Sequence, residues 1–122
     1  MKSDRIYLLH IRDAINRVCQ YIAPGRPAFL WSHMIQDAVV RNLEVIGEAV
    51  NNLSEQLKDG HGEIPWKQIA GMRDKMIHEH FGVNLELVWR AAETELPGLK
   101  LAIETMLQEP DENPSPSPEE SV

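Results

Sequence analysis

The chain has 122 residues, 43% of them hydrophobic and 25% charged, a composition that is ordinary for one globular domain. A single cysteine, Cys19, excludes an internal disulfide framework. We interpret it as a core residue in a reducing compartment. The N-terminal twenty residues carry charges every few positions, which excludes a signal peptide or a membrane span there. We therefore expect a cytoplasmic protein with no membrane partner.

The formal net charge of −7 is unevenly distributed. Residues 109–122 hold five acids, four prolines and no base, so the rest of the chain has a formal charge of only −2. A segment of that composition cannot bury apolar surface. We predict a folded domain over residues 1–108 and a disordered acidic tail over residues 109–122. A nearly neutral domain can still bind RNA through a local patch, so charge leaves that function class open.

The apolar positions follow helical spacing throughout, and no stretch alternates as a β-strand would. The first predicted helix runs from Asp4 to Ile22, with Ser3 or Asp4 as its cap and "APGRP" as its end. The second runs from Ser32 to Lys58. Its apolar positions are three or four residues apart, as in a long helix packed nearly antiparallel against others: Val39, Leu43, Ile46, Val50, Leu53 and Leu57.

The second half of the chain predicts shorter helices. Pro65 suits the first turn of a third helix, which we expect to end near Gly82. Asn84 suits the cap of a fourth, whose inward residues are Leu85, Val88, Trp89 and Ala92. Pro97 is predicted to break or kink the chain before a last apolar segment. The fold class is therefore all-α, a bundle of four or five helices.

The stretch "GMRDKMIHEHFGVN", Gly71 to Asn84, carries the chemistry. On a helix with about 100° per residue, Arg73 falls in the middle of the apolar face, and so does His80. Asp74 and His78 lie at one edge of that face. The apolar neighbours of Arg73 on this wheel are Trp66, Ile69, Met72, Met76 and Ile77.

Two interpretations of Arg73 follow from this pattern. Either it makes a buried ion pair, for instance with Glu44 or Glu48, or it lines a phosphate-binding cleft with His78. Five residues separate Arg73 from His78, so an undistorted helix points them about 140° apart. Convergence on one phosphate then requires the reach of Arg73, a helix that ends near His78, or a second copy of the chain.

A metal site is the weaker alternative. Zinc proteases place two histidines four residues apart on one helical face, whereas His78 and His80 are two apart and diverge on a helix. Together with His61 they could hold an adventitious ion. We predict no metal and no cofactor.

At these residues the sequence resembles the HepT-like branch of the HEPN superfamily. The resemblance rests on "QDAVVRNLEVIGEAVNNLS" (Gln36 to Ser54) and "IPWKQIAGMRDKMIHEHFGVNLELVW" (Ile64 to Trp89), with the R-x4-H spacing inside the second. It implies a homodimeric, HEPN-like up-down bundle with four to five helices. It also implies a metal-independent ribonuclease toxin with its cleft at the dimer interface, controlled by a cognate MNT-type nucleotidyltransferase antitoxin.

The resemblance also implies roles for the motif residues. His78 would act as general acid and base, Arg73 would hold the scissile phosphate, and Asp74 would orient one of them or shape the cleft. The alternative is a catalytically inactive HEPN dimer that binds a nucleotide or a partner.

One position departs from the family pattern. Two residues after the catalytic histidine the family usually has the tyrosine that its nucleotidyltransferase modifies with AMP, and this chain has His80. Its tyrosines, Tyr7 and Tyr21, lie on the first predicted helix, far from the motif. Control by tyrosine AMPylation is therefore not expected. His80 is either an altered acceptor, an additional acid or base, or the mark of a variant without this control.

Overall fold

The N-terminal half of the fold is built on two long helices. The computed structural model describes residues 3–72 and 84–109. Helix α1 spans Asp4–Ile22, and the side chain of Ser3 caps it by accepting from the Arg5 amide at 3.0 Å. Helix α3 spans His33–Asn52 and makes the most extensive contacts with α1. The prediction of the first helix is confirmed.

A short helix that the sequence did not predict joins these two. Helix α2 spans Arg26–Trp31, and Gly25 before it has a φ of 106°, a left-handed conformation that suits glycine. Six residues are too few to show helical periodicity, so no helix was predicted between "APGRP" and Ser32. Its formation depends on a tertiary contact, because Phe29 is completely buried and packs against Trp89.

The second predicted helix proves to be two helices. Helix α3 ends at Asn52, and α4 spans Glu55–Gly60, so the prediction of one helix from Ser32 to Lys58 is wrong. The break is fixed by Ser54, whose hydroxyl accepts from the Leu57 amide at 3.1 Å. The Ser54 amide and hydroxyl both donate to the Asp4 carboxylate, at 2.8 and 2.6 Å. These hydrogen bonds stabilise a helix start at Ser54 relative to a helix that continues through it.

The third predicted helix begins as expected but is interrupted. Helix α5 spans Trp66–Ala70, directly after Pro65, and Gly71 follows as its C-cap. A helix that continues unbroken from Pro65 to Gly82 is therefore wrong at Gly71. The prediction for residues 73–83 lies outside the described residues.

The C-terminal part is one continuous helical run. Helix α6 spans Leu85–Arg90, a π-helical turn spans Ala91–Glu95, and α7 spans Leu96–Gln108. The cap at Asn84 is confirmed, since its side chain accepts from the Leu87 amide at 3.2 Å. The chain does not break at Pro97, which lies in the first turn of α7, directly after the π-helical turn.

The core lies between α1, α3 and α7, with α5 and α6 closing its sides. The predicted apolar residues of α3 are buried in it, and Cys19 packs at its edge, as expected for a core cysteine. Every regular element in the described ranges is helical, which confirms the all-α class. Over the same ranges, no helix combines the length and the apolar content that crossing a bilayer requires.

Candidate active site

The four predicted site residues lie in one short segment outside the described residues. Arg73, Asp74, His78 and His80 fall within residues 73–83, so their roles stay predictions. What the structure describes is the frame on either side of that segment, namely α5 with Met72 before it and Asn84 with α6 after it.

On the N-terminal side, α5 is held from two directions. The Trp66 ring is buried, and its indole N–H donates to the carbonyl oxygens of Lys58 and His61 at 3.2 and 3.1 Å. Helix α5 also packs against α3 at Gly47, where a Cβ would lie 3.2 Å from the Ala70 carbonyl oxygen. A Cβ at that distance would be unusually tight, so α5 would have to shift by a few tenths of an ångström to accommodate it. The backbone that leads into Arg73 is therefore fixed by α3 and by the α4–α5 loop.

On the C-terminal side of the site segment, α6 packs against α2. Arg26 forms an ion pair and hydrogen bond with Glu86, and the Phe29 and Trp89 rings pack with centroids 5.4 Å apart and planes 45° apart. Asn84 caps α6 just before these contacts. The helices that flank residues 73–83 are thus both packed against other helices of the fold.

Of the proposed ion pair of Arg73, the structure describes only the two candidate partners. Glu44 is half-buried on α3, whereas Glu48 is exposed. Because α5 ends at Ala70, the helical wheel that placed Arg73 beside Trp66 and Ile69 does not run continuously through Gly71. Neither interpretation of Arg73 is decided by these observations.

Two histidines outside the motif, His61 and His10, contact other side chains. His61 lies between two carboxylates, with Nδ1 3.9 Å from Glu63 and Nε2 3.7 Å from Glu109. His10 meets Tyr7 edge to face with ring centroids 6.2 Å apart. Over residues 3–72 and 84–109, no three potential metal ligands gather at one point. A site shared by His61 with His78 and His80 would lie partly outside those ranges and stays untested.

A groove with a volume of about 730 Å³ borders the frame, and the sequence analysis did not predict it. It lies between α5 on one side and α6, the π-helical turn and α7 on the other. Met72 and Leu87, from the two sides of the site segment, both line it. Its formation depends on how distant elements meet, so no local sequence pattern could have shown it.

A second feature missed from sequence is an apolar surface patch at the junction of α2 and α3. Trp31 is 88% exposed and Met34 79% exposed, with Leu30 beside them at 43%. The signal in the sequence was the run "FLW", of which only Phe29 turns into the core. Exposed patches of this kind are typical of interaction surfaces.

Comparison with known proteins decides the family. The model of a family described as "Ribonuclease HepT-like" matches residues 11–106, which includes most of α1, all of the frame and the whole site segment. This chain belongs to the HepT-like ribonuclease family. No solved structure gives a significant match.

Relatives of this HepT-like chain carry ribonuclease names. It is 40% identical over 113 residues to TTE0752 of Caldanaerobacter subterraneus subsp. tengcongensis, provisionally named an RNase, covering 88% of this chain and 97% of that one. It is 39% identical over 100 residues to the "Probable ribonuclease HepT" of Thermococcus cleftensis, covering 81% and 91%.

A third relative is a longer protein. MJ0434 of Methanocaldococcus jannaschii, whose name joins a gamma-glutamylcyclotransferase to a provisional RNase, is 39% identical over 113 residues. The match covers 92% of this chain but only 51% of that protein. The chain thus spans about half the length of this relative.

Proposed function

We propose that this chain is a metal-independent ribonuclease that cleaves RNA through Arg73, Asp74 and His78. The observation that carries the proposal is the family match over residues 11–106, because the R-x4-H spacing lies inside it between two anchored helices. The ribonuclease names of the relatives support the same reaction class.

The chemistry needs few groups. The ribose 2′-OH attacks the adjacent phosphorus, the new O2′–P bond forms as the P–O5′ bond breaks, and the products are a 2′,3′-cyclic phosphate and a 5′-OH. His78 would take the proton of the 2′-OH or give one to the leaving O5′. Arg73 would stabilise the charge that develops on the phosphate oxygens, and Asp74 would orient one of these two residues. An attacking hydroxyl that is already on the substrate has no need of a metal to generate it.

The proposal includes two partners. A second copy of the chain would bring another Arg73 and His78 to a shared cleft. An arginine from one copy and a histidine from the other could then reach the same phosphate, although the two side chains are predicted to diverge on one helix. An MNT-type nucleotidyltransferase would be the antitoxin of a toxin–antitoxin pair. His80 stands where such an enzyme would find a tyrosine, so in this chain neutralisation would depend on contact rather than on tyrosine AMPylation.

The test is cleavage of total cellular RNA by the purified protein, with and without a chelator. We expect degradation that the chelator leaves unchanged and that Arg73→Ala and His78→Ala both abolish. Wild type that leaves RNA intact while it binds nucleotides would favour the inactive HEPN dimer. Cleavage that both variants retain would point to a contaminating nuclease.

A further inference from the structure

The groove beside α5 is lined by residues that precede and follow the predicted catalytic segment in the sequence. Met72, which is bonded directly to Arg73, lines one side, and Leu87, three residues after Asn84, lines the other. Arg73 is the next residue along the chain, and consecutive Cα atoms are about 3.8 Å apart. A substrate held at Arg73 would therefore have the groove within reach.

The interior of the groove is apolar. Three of its lining residues are buried, namely Ile64, Leu96 and Leu99, and the small side chain of Ala102 is half-buried. We call these four residues the floor of the groove. Its volume of about 730 Å³ falls within the range of about 300–1,000 Å³ that is typical of small-molecule sites. It can hold a flat ring together with the sugar that carries it.

The rim of the groove is polar and carries more acid than base. It consists of Glu63, Gln68, Arg90 and Glu95. Among the described residues, no hydrogen bond or ion pair engages the side chains of Gln68, Arg90 or Glu95, and the side chain of Glu63 has only His61 at 3.9 Å. Two carboxylates against one guanidinium disfavour a phosphate in this groove, whereas they favour a group that donates hydrogen bonds.

From this combination we infer that the groove binds an amine-bearing nucleobase of the RNA, next to the bond that is cleaved. Adenine, cytosine and guanine have an exocyclic amine that would donate a hydrogen bond to the Glu63 or Glu95 carboxylate, as cytosine N4 does to carboxylates in other complexes. The Gln68 amide offers both a donor and an acceptor to the ring edge, and the Arg90 guanidinium offers a plane for stacking. Uracil has two carbonyl oxygens and no exocyclic amine, with N3–H as the one donor of its base-pairing edge, so the carboxylates favour it least. The inference rests on the proposed ribonuclease function.

Binding is measured apart from cleavage, so that failure of one is distinguishable from failure of the other. Fluorescein-labelled 2′-O-methyl oligomers of A, C and U cannot undergo attack by a 2′-OH, and fluorescence anisotropy gives their Kd values. We expect the A and C oligomers to bind at least about fivefold more tightly than the U oligomer, the lower end of discrimination by one good base contact. The double variant Glu63→Gln, Glu95→Gln should bring the three Kd values together. Glu93→Gln is the matched control, because Glu93 is exposed on the same π-helical turn but does not line the groove.

A second variant fills the floor. Ala102→Phe should weaken binding of the A and C oligomers and leave binding of the U oligomer nearly unchanged. Equal Kd values for the three oligomers, a preference for U, or no binding at all would overturn the inference. So would a preference for A and C that survives the double variant. If Ala102→Phe alters only the oligomeric state or the melting temperature, a second copy or residues 73–83 occupy the groove instead, and the inference is wrong.

The proposed function fails in a different way. If discrimination between the oligomers is present but cleavable RNA stays intact with every variant, the groove is a base-binding site and the ribonuclease is refuted. If RNA is cut with no preference for the neighbouring base, the ribonuclease stands and the groove inference falls.

Discussion

Gly47 on α3 lies against the end of α5 so closely that a Cβ there would be 3.2 Å from the carbonyl oxygen of Ala70 and 3.4 Å from that of Ile69. Both obstacles are backbone atoms, which cannot rotate away as a side chain would. The indole N–H of Trp66 also joins α5 to the carbonyl oxygens of Lys58 and His61. The first two testable predictions follow from this contact.

Gly47→Ala should destabilise the protein by about 1–3 kcal/mol, the usual cost of an added methyl group in a well-packed contact. Thermal or urea unfolding gives the free energy. The matched control is Gly60→Ala, since a Cβ at Gly60 in α4 meets nothing within 4 Å. That variant should keep or slightly raise the stability, because alanine favours a helix over glycine by up to about 1 kcal/mol. A Gly47→Ala protein as stable as the control would show that α5 can move away freely.

Cleavage by Gly47→Ala should also slow more than its loss of stability explains. The Ala70 carbonyl lies three residues before Arg73, so a displaced α5 would move the guanidinium relative to the phosphate. A misplacement by 1 Å can cost about 100-fold in rate. The measurement is kcat at a temperature where both variants are fully folded, and a kcat equal to that of Gly60→Ala would contradict the prediction.

Gln36 joins α2 to α3 from inside the protein. Its buried side-chain amide donates to the carbonyl oxygens of Phe29 and Leu30 at 2.9 and 3.2 Å. Gln36→Leu should cost about 1–3 kcal/mol in unfolding free energy, because those carbonyls lose their donor while the site stays closed to water. Gln56→Leu, on the exposed face of α4, is the control and should change little. Equal stability of the two variants would mean that water replaces the lost bonds.

The exposed patch of Leu30, Trp31 and Met34 bears on the proposed dimer. We expect a dimer in sedimentation at micromolar concentration, with an interface that contains the predicted third helix and extends to this patch. Trp31→Glu should shift the equilibrium towards monomer, because burying a charge in an apolar contact is costly. Leu101→Glu, at a residue that is 68% exposed on α7, should leave the dimer intact. A wild-type monomer would refute the dimer, and a dimer unaffected by Trp31→Glu would exclude the patch from its interface.

His80→Tyr should restore the acceptor that the family's nucleotidyltransferase uses. Wild type and variant are mixed with such an enzyme and ATP, and the products are weighed by mass spectrometry. We expect AMP on the tyrosine variant alone, with cleavage activity retained by the unmodified variant. AMP on wild-type His80 or on Tyr7 would overturn this expectation.

The long helices were predictable from the sequence, while the points where helices meet were not. Helix α1 and the cap at Asn84 follow from local periodicity and capping chemistry, and both lie where predicted. The break at Leu53 depends on the hydrogen bonds between Ser54 and Asp4. These two residues are fifty positions apart, so a local pattern could not reveal the contact. Helix α2 likewise depends on Trp89, and the groove is lined by residues of α5, α6 and α7 that are distant in the sequence. For the site, the sequence supplied the R-x4-H spacing, and the structure supplies the anchored frame on both sides.

The central claim is that His78 exchanges a proton during RNA cleavage without a metal. The most direct measurement is the cleavage rate of one defined RNA oligonucleotide in the presence of a chelator, for wild type and for His78→Ala. The variant should stay folded, with the melting temperature of wild type, and cleave about 10²–10⁴-fold more slowly, the usual loss when a positioned acid or base is removed. Equal rates for the two proteins would contradict the assignment of His78.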